Sequence, residues 1–85
     1  MFFDSELEKA HKKSMLNREK LEESDFCACF NCLETFPFKS INEWVDQNDS
    51  TALCPKCGID SVLGSAQGFD LSKEFLLKMN QRWFG

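Results

Sequence analysis

Two C-x-x-C pairs, Cys29/Cys32 and Cys54/Cys57, constrain this chain more than any other feature. Their 21-residue separation is the ligand spacing of a tetrahedral four-cysteine zinc site. Zinc takes four soft ligands at the corners of a tetrahedron, with Zn–S near about 2.3 Å. Two cysteines three apart can turn inward on one tight turn, a knuckle, and two knuckles supply four thiolates. The second knuckle, Cys54-Pro55-Lys56-Cys57-Gly58, carries the marks of such a turn: Pro55 fixes φ, and Gly58 can take the left-handed conformation at its end. The first, Cys29-Phe30-Asn31-Cys32-Leu33, is less ideal. Leu33 stands where Gly would, and Asn31 is a residue that tolerates positive φ.

Other uses of these cysteines fit less well. Disulfides need an oxidising compartment and usually a secretory signal, whereas Met1-Phe2-Phe3-Asp4-Ser5-Glu6 turns acidic at once. A redox C-x-x-C needs one pair and a thioredoxin-like βαβ pattern, which is not seen. Five cysteines in 85 residues, four of them in two spaced pairs, are a poor match to scattered buried thiols. Four closed ligands imply one structural Zn2+ rather than a catalytic one, which keeps a position open for water. Chelation is therefore expected to unfold the zinc core, residues 26–63. Cys27, the odd cysteine, shares a strand face with Cys29 if the stretch is extended. It reads as a small buried hydrophobe, with an alternative ligand or a reactive thiol as sharper readings.

A chain of 85 residues makes a single domain, 1–85, and buries only about 60% of its unfolded surface, so a metal staple suits it. Nine Phe and two Trp still provide a sizeable core. No apolar run is long enough to span a membrane. The formal net charge is −4, and four thiolates with one Zn2+ bring it to about −6. That balance disfavours nonspecific nucleic-acid binding.

Residues 5–23 read as one long N-terminal helix. Ser5-Glu6-Leu7-Glu8 has the form of a capping box, and no Gly or Pro interrupts the stretch after it. Leu7, Ala10, Ser14 and Leu21 share one narrow stripe, which must pack on the zinc core or a partner. His11, Ser14 and Arg18 lie beside it, as a polar border to the core or, more sharply, a recognition patch. Lys9, Lys13 and Lys20 line the opposite face as a solvated stripe, with Glu8/Lys12 as an i,i+4 pair. Phe26–Phe30 should run extended into the first knuckle, and Glu34–Phe38 should form a second extended piece bounded by Pro37. Ser40-Ile41-Asn42-Glu43 reads as another capping box, opening a short helix to about Asp46 that places Trp44 in the core. Thr51–Leu53 leads as a strand into the second knuckle, and 59–64 continues as strand and turn. Asp60 and Ser61 cap the knuckle or a turn. The last helix, from about 71 to 84 within a segment 70–84, is capped by Asp70 or Ser72. It buries Phe75, Met79 and Trp83, with Leu77 off the stripe.

Four blocks together resemble a group of small bacterial and phage-associated cytoplasmic zinc-binding proteins. They are Cys27–Cys32, Glu43–Asp46, Thr51 through the Cys54-Pro55-Lys56-Cys57-Gly58-Ile59-Asp60-Ser61-Val62 run to Ala66, and Phe75-Leu76 through Trp83-Phe84. The chain departs from that group in carrying Asp70 where a Pro starts the last helix. The resemblance implies zinc binding and a cytoplasmic location, and it brings no activity with it.

The fold expected is a small α+β domain: a zinc-ribbon or knuckle core with a short β meander, a long N-terminal helix and a C-terminal helix. A treble clef, in which the second pair opens a helix, is the alternative. The metal ligands are Cys29, Cys32, Cys54 and Cys57. Three functions fit. The first is a protein-interaction module, an adaptor or inhibitor whose partner is another protein. The second is a nucleic-acid-binding ribbon using Lys9, Lys13 and Lys20 with Lys56. The third is an enzyme built on Cys27 or an open zinc, which lacks a nucleophile–base pair because His11 sits on a different element. No enzymatic activity is expected.

Overall fold

The computed structural model describes residues 3–85, so the reading of the first residues as carrying no secretory signal falls partly on Met1 and Phe2, outside the described residues. The helices are α1 (Asp4–Lys12), α2 (Arg18–Glu23) and α3 (Lys73–Phe84). The strands are β1 (Cys27–Cys29), β2 (Thr35–Phe36), β3 (Glu43–Val45), β4 (Thr51–Leu53) and β5 (Val62–Gly64). They form two small antiparallel sheets, one in the order β2-β1-β5 and one pairing β3 with β4. The second knuckle leads to a strand and not a helix, so the core around the four cysteines has the form of a ribbon and not a treble clef.

The three-stranded sheet is buried on both faces, and alternation along β1 shows how. Ala28 and Phe30 point to a cluster with Leu63, Phe75, Leu76 and Met79, while Cys27 and Cys29 point to a second cluster with Leu21, Phe36, Ala52, Cys54 and Val62. The last helix covers the first face with the expected stripe: Phe75 and Met79 are fully buried, and Leu77 faces solvent. Its N-cap is Ser72, whose Oγ accepts from the Phe75 N–H at 3.2 Å.

The long N-terminal helix is the first expectation to fail. Leu7, Ala10, Ser14 and Leu21 are all buried, but Leu7 and Ala10 enter the first cluster and Leu21 the second, on opposite faces of the sheet. One straight helix cannot reach both faces. The chain therefore breaks and turns around the outer edge of β5, with Leu16 in the left-handed region at φ 52. Side chains hold the corner: Asn17 Nδ2 donates to the Lys13 and Val62 carbonyls at 3.1 and 2.9 Å, and the Leu16 N–H donates to the buried Thr51 Oγ1 at 2.7 Å. Ser14 Oγ donates to the His11 carbonyl at 2.6 Å. Gly64 lets α2 lie close against β5, because a Cβ there would run into Ser24 and sit 2.8 Å from Leu21 Cδ2.

Both expected capping boxes also fail. Helix α1 starts at Asp4, so Ser5 lies inside it and no side chain caps it. The Glu8 carboxylate binds Arg82 of α3 at 2.8 Å instead of serving Lys12. Ser40 closes a 3-10 turn over Phe38–Ser40 by donating to the Pro37 carbonyl at 2.8 Å, and 43–45 is strand rather than helix. Trp44 and Val45 are strand formers, and an open partner, Thr51-Ala52-Leu53, decides the matter. Trp44 still packs inward, against Phe38 and the second cluster.

The break parts two sets of side chains expected on one helix, although Ser14 and His11 still border the core and the lysines are solvated. Of the polar border residues, Ser14 is buried, His11 stacks on Trp83 at 3.9 Å between centroids, and Arg18 lies over Trp44 at 4.3 Å while donating to the Asp49 carbonyl. Lys20 sits on α2, apart from Lys9 and Lys13 on and just after α1, and faces Glu23 at 3.7 Å.

Candidate metal centre

Each knuckle grows from the end of a strand, and the two are built alike. In the first, the Leu33 N–H donates to the Cys29 carbonyl at 2.8 Å and the Cys29 N–H to the Glu34 carbonyl at 3.0 Å. In the second, the Gly58 N–H donates to the Cys54 carbonyl and the Cys54 N–H to the Ile59 carbonyl, both at 2.9 Å. Backbone amides inside each turn point at the leading sulfur. The Asn31 and Cys32 N–H groups lie 3.3 and 3.5 Å from Cys29 Sγ, and the Lys56 N–H lies 3.3 Å from Cys54 Sγ. Such amides stabilise a thiolate by charge-assisted hydrogen bonding.

Both turns end in the left-handed region, Gly58 at φ 81 and Leu33 at φ 66. The expectation that Asn31 would supply the permissive residue of the first turn is corrected: the strained position is Leu33, the counterpart of Gly58. Leu33 is half-buried against the first cluster, and this packing offsets its backbone strain.

The four sulfurs of Cys29, Cys32, Cys54 and Cys57 all lie within 4.8 Å of one another. Cys29 and Cys57 are 3.6 Å apart, and Cys32 and Cys54 are 3.7 Å apart. A regular tetrahedron with Zn–S bonds of about 2.3 Å has edges of about 3.8 Å. The quartet thus fits a tetrahedral metal ion. An all-sulfur tetrahedral donor set is the chemistry of zinc and of iron–sulfur centres. The leading cysteine of each knuckle is buried and the second half-exposed, so the centre has an inner and an outer edge.

Three side chains from outside the quartet support it, and none of them was read from sequence as doing so. Ser61 is buried, with Oγ 3.0 Å from Cys29 Sγ, where its hydroxyl can donate to a thiolate. Asn31 reaches across from the first knuckle and donates through Nδ2 to Cys57 Sγ at 3.3 Å. Asn80 of α3 donates to the Phe30 and Asn31 carbonyls at 3.1 and 2.9 Å and so fastens the first knuckle to the helix. Pattern reading finds ligands by spacing; these donors have no fixed spacing and become visible only in three dimensions.

The protonation of the thiols differs across the site. Burial pushes Cys29 up to about 11, against hydrogen bonds from Ser61 and from the Cys32 and Asn31 amides that pull the other way. Burial also raises Cys32 and Cys54. Burial acts to raise Cys57 too, but hydrogen bonds from Asn31, the Ile59 backbone and the neighbouring cysteines outweigh it and hold it at about 7. Cys57 is therefore the thiol most ready to meet a metal ion as thiolate. Cys27 stands outside the quartet: fully buried, pushed up to about 11 by burial, it behaves as the small apolar side chain expected.

Among the described residues no helix is long and apolar enough to cross a membrane. Compared with known proteins, the chain matches no family model, no curated protein and no solved structure.

Proposed function

We propose that this chain is a structural-zinc protein-interaction module, an adaptor or inhibitor of a bacterial or phage cytoplasm, with no catalytic role. The observation that carries this reading is the closed quartet: four sulfurs at tetrahedral spacing leave no protein-ligand position to be filled by substrate or water. Zinc at such a centre contributes to folding, with apparent binding free energies of about 10–16 kcal/mol near neutral pH. The metal then serves to hold a surface in shape. That surface is acidic overall, and it exposes large apolar side chains including Leu16 (66%), Phe84 (47%) and Leu77 (44%). The resemblance to small bacterial and phage-associated proteins supports the setting. The nucleic-acid reading remains the alternative; the lysines it uses are divided between α1, the turn after it, α2 and the second knuckle rather than lying on one helix face.

The test is capture of partners by the zinc-loaded protein from its own host lysate, with and without nuclease and at high salt. A protein retained through both treatments is the expected result. Recovery of nucleic acid, or of proteins lost on nuclease treatment, would replace this reading with the nucleic-acid one.

A further inference from the structure

The outer edge of β3 is open, and the other sheet edges are closed. On β5, the outward-facing Val62 carbonyl accepts from Asn17 Nδ2 and the Gly64 N–H donates to Gln67 Oε1, both at 2.9 Å. On the far side of the same sheet, β2 is two residues long and stops at Pro37. Edges blunted in this way do not pair with other chains. Just past β4, the Cys54 N–H faces away from β3, to the Ile59 carbonyl. Alternation then turns Thr51 and Leu53 toward β3, where they pair with Val45 and Glu43. The N–H and C=O of Trp44 therefore point to the open side. Among the described residues no segment pairs with that side.

A groove of about 330 Å³ runs along this edge, lined by Asn42, Glu43, Trp44, Val45, Asp49 and Leu53. Two apolar side chains flank it: Val45 is 38% exposed, and Leu53, diagonal to Val45 across the strand pair, is half-buried. Its rim carries exposed carboxylates, Glu43 and Asp49 in the lining and Asp46 next to it, with the Arg18 guanidinium donating to the Asp49 carbonyl. An unpaired strand edge flanked by two apolar side chains and by carboxylates has a specific complement. We propose that β3 docks a basic, extended polypeptide segment of another protein, added to the edge as a third strand, with apolar side chains over Val45 and Leu53 and Lys or Arg toward Glu43, Asp46 and Asp49. Main-chain hydrogen bonds to Trp44 supply affinity, and the carboxylates with Val45 and Leu53 supply specificity. This proposal rests on the interaction-module reading and names its surface.

The test begins with the zinc-loaded protein and a displayed library of random peptides of about seven residues, the length of a strand. Selected sequences should alternate basic and apolar residues. Their binding should weaken by at least about tenfold in the double variant Glu43→Lys/Val45→Lys, both exposed positions, with the melting temperature retained. Bound peptide should slow hydrogen exchange at the Trp44 amide by about tenfold or more. The proposal is overturned if selected peptides lack basic residues, if the double variant binds them equally, or if the Trp44 amide stays unprotected. Lysate capture separates this failure from that of the wider reading. A partner held equally by the wild type and the double variant leaves the module reading standing and removes β3 from it. If the wild type captures no protein and selects no peptide, both fall.

Discussion

The two knuckles close with the same backbone hydrogen bonds, yet they are filled in opposite ways. The second is specified locally in its backbone: Pro55 and Gly58 supply the turn, and only the Cys57 sulfur takes a side-chain donor from elsewhere, Asn31. The first is built from outside. Its left-handed residue is a leucine held by core packing, its carbonyls are clamped by Asn80, and its leading sulfur is served by Ser61. One metal centre thus joins a knuckle that is written locally to one that exists only when α3 and β5 are in place. The second knuckle should survive changes elsewhere in the fold, and the first should report them.

The largest expected effect ignores that difference. Cys29→Ser and Cys57→Ser each remove one of four ligands, and each should unfold the ribbon by forfeiting much of a metal contribution of about 10–16 kcal/mol. Circular dichroism and thermal melting of the two variants check this. If Cys57→Ser kept a metal-loaded, cooperatively melting fold, the outer edge would be dispensable and the centre would be a three-sulfur site.

Acidity should separate the sulfurs next. Cys57 has its folded-state value depressed from 9.0 to about 7, so its contribution to whatever folded population exists before metal binds is present above 9 and lost as pH falls through 7. Cys27 and Cys29 have values raised from 9.0 to about 11, so their contributions are present below 9 and lost as pH rises through 11. Near pH 7, metal binding should accordingly release about three to four protons, fewer as pH rises toward 9, and affinity should climb with pH. Calorimetry in buffers of different ionisation heat measures the number. A release of four protons that stays constant between about pH 6 and 8 would mean that Cys57 is not ionised ahead of the others.

Smaller effects should divide along the two knuckles. Asn31→Ala and Ser61→Ala each remove a donor to a ligand sulfur, and each should weaken metal binding by about 10–100-fold, read by chelator competition. Asn80→Ala leaves the Phe30 and Asn31 carbonyls without their partner and should cost about 1–2 kcal/mol in denaturant melts. Gly58→Ala forces a Cβ into the left-handed region and should cost about 1 kcal/mol. Leu33→Gly removes equivalent strain along with apolar packing, so its net effect should be under about 1 kcal/mol. If it costs as much as a buried leucine truncation, about 2–5 kcal/mol, the first knuckle is held by packing alone.

The same contrast explains how much was legible in the sequence. The ligand quartet, the strands entering each knuckle, the Phe75/Met79/Trp83 stripe and the role of Cys27 come from spacing and alternation, which are local. The N-terminal break does not. Nothing between Ser14 and Asn17 forbids a helix; the break arises from the need of Leu7 and Leu21 to reach opposite faces of a sheet that the segment itself does not contain. The Ser40-to-Glu43 box fails for a related reason, since Trp44 and Val45 fit a strand once Thr51–Leu53 is beside them. Asn31, Ser61 and Asn80 are ordinary polar residues whose significance lies in distances to sulfur and carbonyl oxygen.

The measurement that bears most directly on the metal-held ribbon is metal content by native mass spectrometry, paired with circular dichroism and thermal melting before and after verified chelation. One zinc per chain, with loss of the cooperative melt when it is removed, is the expected result. An unchanged spectrum and melt in a verified metal-free chain would contradict a structural role for the quartet.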